Sequence, residues 1–458
     1  MEQPKENKMG TMPVNKLLVT MSLPMVISMI VQALYNIVDS IFVSRLSEDA
    51  LTAVSMAFPM QNLMISVAVG TGVGINAMLS RALGEKKFEA ANKTAENGIF
   101  IEVLGYVLFL LIGIFVTKPF FLAQAGAGDI ANMGIEYTRI CLLMSFGIFM
   151  QIGFERILQS TGRTIFTMIT QSTGAIINII LDPILIFGLF GMPKMGVAGA
   201  GWATVIAQFI SGILCFVYSL KKFPILRLTK HDWKFSWKFA WQHLAVGLPM
   251  AFQFSITAIG TMVIQSALNS LGSTAVAAFT AGSKIDQFAT QPLASLGVAV
   301  ATYTAQNYGA RELERIKKGV TGAAIIATVC GIVGGFVVIT FAKPLVALFV
   351  GSGQNEVMSL SKEYLVLNGV FYVILGLLFV YRNALQGIGS SMIAFFGGVW
   401  ELVMRSLVAF VLVSYLKFAA VCIASPVAWF GATIWLMIAY FVIINRIIKK
   451  ANFAKINY

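Results

Sequence analysis

Residues 17–44 read LLVTMSLPMVISMIVQALYNIVDSIFVS, a long apolar stretch that few polar side chains interrupt. About 20 consecutive apolar residues in a helix cross the hydrocarbon core of a bilayer, so this stretch predicts a membrane-spanning helix. It also contains a carboxylate, Asp39. An ionisable side chain at the centre of a membrane helix costs about 2.5–3.5 kcal/mol on insertion scales, which makes Asp39 a candidate functional residue.

The rest of the chain repeats this apolar pattern. Its 458 residues are 58% hydrophobic and only 12% charged. The pattern predicts an all-α polytopic membrane protein with twelve transmembrane helices. The predicted spans are residues 17–44, 52–80, 95–117, 133–160, 164–190, 196–220, 240–269, 275–307, 319–341, 363–386, 391–416 and 420–445.

Basic residues lie mostly on one side of these spans. If the N-terminus is cytoplasmic, 24 of the 33 Lys and Arg residues lie toward the inner side and seven toward the outer side. This asymmetry is the positive-inside pattern, and it predicts that both termini are cytoplasmic. The excess of basic over acidic residues is therefore explained by membrane topology. We expect membrane lipids but no nucleic acid among the partners.

The two halves of the sequence resemble each other. Sliding the sequence by 225 residues, and then by 227, aligns several short motifs. The matches are Leu23-Pro24-Met25 with Leu248-Pro249-Met250, Gly72-Val73 with Gly297-Val298, Lys118-Pro119 with Lys343-Pro344, Glu136-Tyr137 with Glu363-Tyr364, and Leu158-Gln159 with Leu385-Gln386. They indicate a duplicated six-helix unit.

Six spans return the chain to its starting side, so the two copies have the same orientation. This predicts a pseudo-two-fold axis along the membrane normal, as in parallel-repeat transporters. We expect an N-terminal six-helix lobe over residues 1–220, a basic cytoplasmic linker over 221–239 and a C-terminal lobe over 240–458. Two lobes around a central axis can open to either side of the membrane in turn.

Polar side chains form stripes on three helices of the first lobe. Residues three or four apart share a helix face. The first span has Gln32, Asn36 and Asp39, with Tyr35 beside them; the fifth has Gln171, Gly174, Asn178 and Asp182; the sixth has Thr204, Gln208 and Ser211. Carboxylates with amide and hydroxyl partners suit an ion-coupling site, because they can exchange a proton or coordinate a hard cation.

The structural alternatives for the two carboxylates are ordinary ones. Asp39 can be explained as a satisfied interhelical hydrogen bond, and Asp182, directly before Pro183, as a capping residue at a helix end. The rule that ionisable residues inside the membrane are functional favours the coupling role for both.

The second copy lacks these groups. At the repeat offsets Asp39 corresponds to Ile264, Asp182 to Ala409 and Asn178 to Arg405. The predicted chemistry is therefore confined to the first lobe.

The second lobe keeps two acidic residues well inside its spans. Asp286 lies near Lys284, and Glu401 precedes Arg405 by four residues, spacings that favour internal ion pairs with a structural role.

Other motifs are weak. Gly70, Gly72 and Gly74 lie in an apolar helix, where glycines allow close packing. The sequence has no Walker A or HExxH motif, only two histidines and no CxxC spacing among its four cysteines. It therefore predicts no metal site, no catalytic residues, and no cofactor other than a coupling ion.

Three segments together resemble the MATE (multidrug and toxic compound extrusion) family. They are residues 33–42 (ALYNIVDSIF), 178–188 (NIILDPILIFG) and 196–204 (GVAGAGWAT), and the likeness extends over essentially the whole chain. The first helix is similar to that of the bacterial MepA subgroup. The resemblance implies two six-helix lobes that rock around a central cavity, driven by the re-entry of protons or sodium.

The resemblance also implies roles for residues. Asp39, Asn178 and Asp182 match the family's first-lobe cation site, Thr204 matches its sixth-helix hydroxyl, and Pro24 matches the proline at which the first helix bends. We expect Gln32, Tyr35, Asn36, Gln171 and Gln208 to line the cavity. The stretch 251–260 after Pro249 has no carboxylate, unlike the branch of the family with acidic coupling residues in its second lobe.

The sequence therefore predicts a bacterial inner-membrane antiporter that acts as a monomer. It is expected to expel small cationic, amphipathic drugs while H⁺ or Na⁺ enters. A lipid-linked saccharide flippase of related architecture is the main alternative, although it should have a strongly basic cavity. A membrane-embedded enzyme and a passive channel fit the sequence less well.

Overall fold

A computed structural model describes residues 8–222, 235–350 and 355–456, and they form helices joined by short connections. The first repeat contains α1 (Val14–Ser44), α2 (Glu48–Gly84), α3 (Phe88–Phe115), α4 (Asp129–Leu143 with Phe146–Ser160), α5 (Thr164–Phe187) and α6 (Val197–Lys222). The second contains α7 (Trp237–Asn269), α8 (Ser273–Gly309), α9 (Leu313–Thr340), α10 (Asn355–Gly369 with Tyr372–Gly387), α11 (Ser391–Val411) and α12 (Phe418–Ile456). Short helices lie at Lys8–Thr11, Thr117–Ala125, Leu189–Gly191, Ala342–Ala347 and Val413–Leu416.

Each predicted span corresponds to one helix or to one bent pair. Nine described helices are long and apolar enough to cross a bilayer, and α4 and α10 reach this length as pairs bent by 43° and 49°. The helix α8 is less apolar, but its 37 residues extend about 55 Å at 1.5 Å per residue.

Several helices are longer than the predicted spans, because hydropathy detects only their apolar parts. For example, α2 begins at Glu48, four residues before the predicted start, since the Ser47 side chain caps it by accepting a hydrogen bond from the Ala50 amide (3.0 Å).

Contacts along the chain define two compact units. The first unit is Ile27–Ala251, and the second combines the residues up to Val26 with those from Phe252 onward. Each boundary lies two residues after a proline inside a helix, Pro24 in α1 and Pro249 in α7. Proline has no amide hydrogen, so both helices lack one backbone hydrogen bond just before the chain passes into the other unit.

The two compact units do not coincide with the two lobes that the sequence predicts on either side of the linker. The start of α1 belongs to the second unit, and the start of α7 belongs to the first. The sequence division at residues 221–239 stays a prediction, and residues 223–234 of that linker lie outside the described part of the chain.

Glycines in α2 allow close packing in the first unit. A Cβ atom at Gly70 would collide with the backbone of Ala251, and one at Gly74 would lie 2.9 Å from the carbonyl oxygen of His243. The α2 and α7 backbones therefore touch here, as the packing interpretation of these glycines predicts.

In the second unit, Arg315 anchors the residues before α1. Its guanidinium donates hydrogen bonds to the carbonyl oxygens of Met9 (3.1 Å) and Met12 (2.6 Å). The Tyr303 hydroxyl in turn donates to the Arg315 carbonyl oxygen (2.8 Å). These hydrogen bonds hold residues 9–12 against the turn between α8 and α9.

Candidate cation-coupling site

Two neighbouring helices of the first unit bring Asn178, Asp182 and Thr204 together. The Asn178 amide lies 3.5 Å from Asp182 Oδ1 and 3.4 Å from Thr204 Oγ1, and it donates to both. Asp182 is 0% exposed and Asn178 is 2% exposed. Asn178 and Asp182 are one helical turn apart on α5, which explains why they share a face.

The helix α1 adds a second carboxylate to this site. Asp39 lies close enough to Asp182 for their charges to repel, and Tyr35 lies close to both. The Gln32 side chain hydrogen-bonds the Tyr35 hydroxyl. The first and fifth helices thus converge as their polar stripes predict.

Three oxygen atoms of the site have no hydrogen-bond partner in the described part of the chain. They are Asp39 Oδ1, Asn178 Oδ1 and Asp182 Oδ2, and all three are buried. Leaving a buried acceptor unsatisfied costs about 1–3 kcal/mol. Two buried carboxylates also cannot both remain charged at low cost without a cation. Together with Thr204 Oγ1, these oxygens can hold a proton or coordinate a hard cation such as Na⁺.

The other predicted site residues lie elsewhere. Gln171 donates to Glu155 Oε2 (2.7 Å) and is 11 residues, about 16 Å, along α5 from Asp182. Gln32 and Asn36 are exposed on the surface of α1, and Gln208 is half-buried one turn beyond Thr204. Pro24 lies in the second unit, about 22 Å along α1 from Asp39. Their cavity and hinge roles stay predictions.

Tyr137 and Cys141, together with their partner Gln61, were not predicted as part of this site. The Gln61 side chain of α2 donates to the Tyr137 hydroxyl (3.2 Å) and to Cys141 Sγ (3.4 Å). Tyr137 and Cys141 both lie within electrostatic range of Asp39. Tyr137 belongs to one of the motifs that the repeat matches, and this was the one sequence signal that could have identified it.

A second polar cluster joins α4 to α2, α3 and α5. Glu155 accepts hydrogen bonds from Gln159 and Gln171, each at 2.7 Å. The Arg156 charge interacts with Glu155 and with Glu102, which accepts from Thr71. No motif spacing marks this cluster, because its members lie on four different helices.

The acidic residues of the second unit differ from the prediction. Glu401 forms its ion pair with Arg382 of α10 rather than with Arg405 in its own helix. Asp286 accepts a hydrogen bond from the Tyr372 hydroxyl (2.7 Å) rather than pairing with Lys284. Both predicted intrahelical pairs are therefore wrong, because side chains from the bent helix pair α10 reach these carboxylates.

The fold and the site define a class of protein. A duplicated six-helix membrane protein with buried carboxylates in one compact unit has the features of a repeat-type secondary transporter. The family model MatE matches residues 24–184 and again residues 249–411, so the chain belongs to the MatE family. The two matches begin at Pro24 and Pro249 and end 227 residues apart, which confirms the duplication and both offsets.

Curated relatives are similar over most of their length. The chain is 26% identical to the probable multidrug resistance protein YoeA of Bacillus subtilis, with 91% of each chain covered. It is 25% identical to the FAD transporter of Shewanella oneidensis (88% and 89% covered). It is also 25% identical to the multidrug export protein MepA of Staphylococcus aureus (84% and 85% covered), so the predicted likeness to MepA is confirmed.

Solved structures share the whole fold. The structure of an outward-facing multidrug resistance MATE family transporter has a TM-score of 0.91 and 26% identity, and the match covers 98% of this chain and 100% of that one. The predicted fold class, an all-α membrane protein with twelve helices in two lobes, is confirmed.

Proposed function

We propose that this protein is a secondary active multidrug efflux antiporter. In this proposal it exports cationic, amphipathic organic compounds while H⁺ or Na⁺ moves inward. The names of two relatives, a multidrug resistance protein and a multidrug export protein, support the drug cargo. None of the relatives compared above is named as a saccharide flippase, so that alternative is not favoured.

One observation supports the antiport mechanism above all. Asp182 is fully buried, yet its Oδ2 atom has no hydrogen-bond partner in the described residues and Asp39 lies nearby. A site with two carboxylates and an unsatisfied amide oxygen is incomplete until a cation enters it. A purely structural carboxylate would be expected to have its oxygens satisfied.

The proposed cycle uses this incomplete site as a switch. Binding of a proton or Na⁺ removes the repulsion between Asp39 and Asp182, so α1 can pack more closely against α5. Release of the ion restores the repulsion and loosens that packing. Because each conformation binds the ion with a different affinity, the ion gradient shifts the conformational equilibrium and drives export of the drug.

We further propose a location and an orientation. With both termini in the cytoplasm of a bacterial cell, Asp39 and Asp182 lie near the outer ends of α1 and α5 in the inner membrane. An ion entering from outside would then reach the site directly. We expect the protein to work as a monomer in lipid, without a cofactor besides the coupling ion.

The test is ethidium efflux from proteoliposomes, with a proton gradient and a sodium gradient imposed separately. We expect one gradient to drive efflux by the wild type, and Asp39→Asn and Asp182→Asn each to reduce it by at least about tenfold, the loss of one charged ligand. Asp49→Asn is the matched control, since Asp49 is an exposed carboxylate at the start of α2.

Two results would contradict the proposal. Efflux at the wild-type rate in both site variants would show that the two carboxylates have only a packing role. Failure of the wild-type protein to export ethidium under either gradient would contradict multidrug antiport itself.

A further inference from the structure

Arg405 is a buried cation that has no anionic partner among the described residues. It lies in the second half of α11 and is 6% exposed. Its Nε atom is buried without a hydrogen-bond partner, and no ion pair joins its guanidinium to any residue in the described ranges. A buried charge is normally paired, because an unpaired one loses its hydration without compensation.

Two acidic residues in the spans of the second unit have other partners. Glu401, one turn earlier on α11, forms its ion pair with Arg382, and Asp286 of α8 accepts the hydrogen bond from Tyr372. Tyr364 of α10 lies close to Arg405 but contributes a neutral phenol. The missing negative charge is therefore not supplied by a described neighbour.

The surroundings of Arg405 are typical of an anion-binding site rather than of chance packing. A Cβ atom at Gly260 of α7 would lie 2.6 Å from Arg405 Nη1, so the guanidinium occupies the space that glycine leaves open. Arg382 lies close enough for its charge to repel that of Arg405. Two neighbouring guanidinium groups with one paired carboxylate leave an excess of positive charge for an incoming anion.

The repeat places this cation at a position equivalent to the coupling site of the first unit. Arg405 occupies the position that Asn178 has in the first unit, and Gly260 corresponds to Tyr35. The first unit therefore has two carboxylates and needs a cation, whereas the same region of the second unit has a fixed cation and needs an anion.

We propose that Arg405 binds the acidic group of a transported amphipathic compound. This inference rests on the proposed efflux function and extends its substrate class beyond simple cations such as ethidium to compounds that also carry a carboxylate or a phosphate, including zwitterions with a cationic ring system. A guanidinium suits this role because its planar fork of N–H donors matches the two oxygens of such a group.

Two dyes provide a matched pair for the test. Rhodamine 110 has a free carboxylate, and rhodamine 123 is its methyl ester, so the ring systems are the same. Binding of each dye to the full-length protein in phosphatidylcholine nanodiscs is measured by fluorescence anisotropy without any gradient. We expect the wild type to bind rhodamine 110 about tenfold more tightly or better, as a charge-assisted hydrogen bond allows.

Arg405 variants should remove this preference selectively. Arg405→Gln should bind both dyes with similar affinity, Arg405→Lys should retain part of the preference, and Gly260→Ala should weaken it by displacing the guanidinium. Arg446→Gln is the matched control, because Arg446 is exposed near the end of α12. Gly260→Ala and Arg405→Lys keep the test informative if Arg405→Gln does not fold.

Three outcomes would overturn the proposal. The first is an absence of preference in the wild type, and the second is an unchanged preference in all Arg405 variants. The third is loss of the wild-type preference when phosphatidylglycerol is added, because the site would then take a lipid headgroup. Since binding is measured without a gradient, a failure of antiport in the ethidium assay is distinguished from a failure of this site.

Discussion

The two units have the same fold but differ in charge at equivalent buried positions. In the first unit, Asp39 and Asp182 lie within electrostatic range of each other, and neither forms an ion pair with a basic residue in the described part of the chain. In the second unit, Ile264 and Ala409 occupy the equivalent positions and are part of the apolar core. Arg405 there replaces Asn178.

A second pair of equivalent positions shows the same inversion. Glu155 of α4 binds the amides of Gln159 and Gln171, whereas its counterpart Arg382 of α10 binds the carboxylate of Glu401. Duplication thus preserved the helices while their polar interiors diverged. We conclude that the helix framework tolerates either sign of charge, provided that each buried group has a suitable partner or ligand.

The largest expected loss of stability distinguishes a carboxylate in an ion pair from a carboxylate that is hydrogen-bonded to neutral amides. Glu401→Gln leaves the Arg382 guanidinium without its counterion and should destabilise the protein by about 3–5 kcal/mol. Glu155 hydrogen-bonds to neutral amides and lies only within electrostatic range of Arg156, so Glu155→Gln should cost about 1–2 kcal/mol. Denaturant unfolding in detergent measures both. The double variant Arg382→Gln/Glu401→Gln should recover much of the loss, and equal losses in the two single variants would refute the contrast.

The next effect tests the close backbone packing at Gly70 of the first unit. Gly70 contacts the backbone of Ala251, whereas its counterpart Ser295 already carries a side chain. Gly70→Ala should therefore cost about 3 kcal/mol, since a backbone cannot rotate away. Ser295→Ala should cost about 1 kcal/mol, the value of one polar interaction. A smaller loss for Gly70→Ala than for Ser295→Ala in the same unfolding assay would disprove this prediction.

A smaller loss of stability is expected when a large and a small residue of one repeat are replaced by the equivalent residues of the other. In the second unit Gly319 leaves room for the Tyr303 ring, and the equivalent residues of the first unit are Thr94 and Met78. Gly319→Thr should cost about 1–3 kcal/mol through overpacking. Adding Tyr303→Met recreates the combination of the first repeat and should restore part of the stability. A double variant no more stable than Gly319→Thr would show that the two sites are not interchangeable.

The smallest effect tests the anchor of the chain start. Arg315 holds the carbonyl oxygens of Met9 and Met12, and its counterpart in the first repeat is Ala90. Arg315→Gln should speed hydrogen–deuterium exchange around residues 9–17 and cost about 1 kcal/mol or less in global stability. Lys318→Gln is the control, because Lys318 is exposed on the same helix. Exchange that is equally slow in both variants would exclude the anchoring role.

Much of the fold could be predicted because the bilayer imposes it. A span must be apolar over a fixed length, so the hydropathy of the sequence indicates the helices within a few residues. Of the site, the pairing of Asn178 with Asp182 follows from their spacing on one helix, and the convergence of Asp39 with them was also predicted. The contributions of Gln61 and Tyr137 were not, because each depends on a contact between distant segments.

The sequence by itself determined the twelve helices, the duplication and the placement of buried carboxylates in the first repeat, since all three depend on residue type and spacing along the chain. Only the tertiary structure decided which groups meet across helices. It paired Glu401 with Arg382 and Gln171 with Glu155, and it left Arg405 without an anionic partner in the described part of the chain. It also assigned the start of α1 to the second unit. The physical reason is that a helix fixes neighbours within its own turns, whereas partners on other helices are selected by packing.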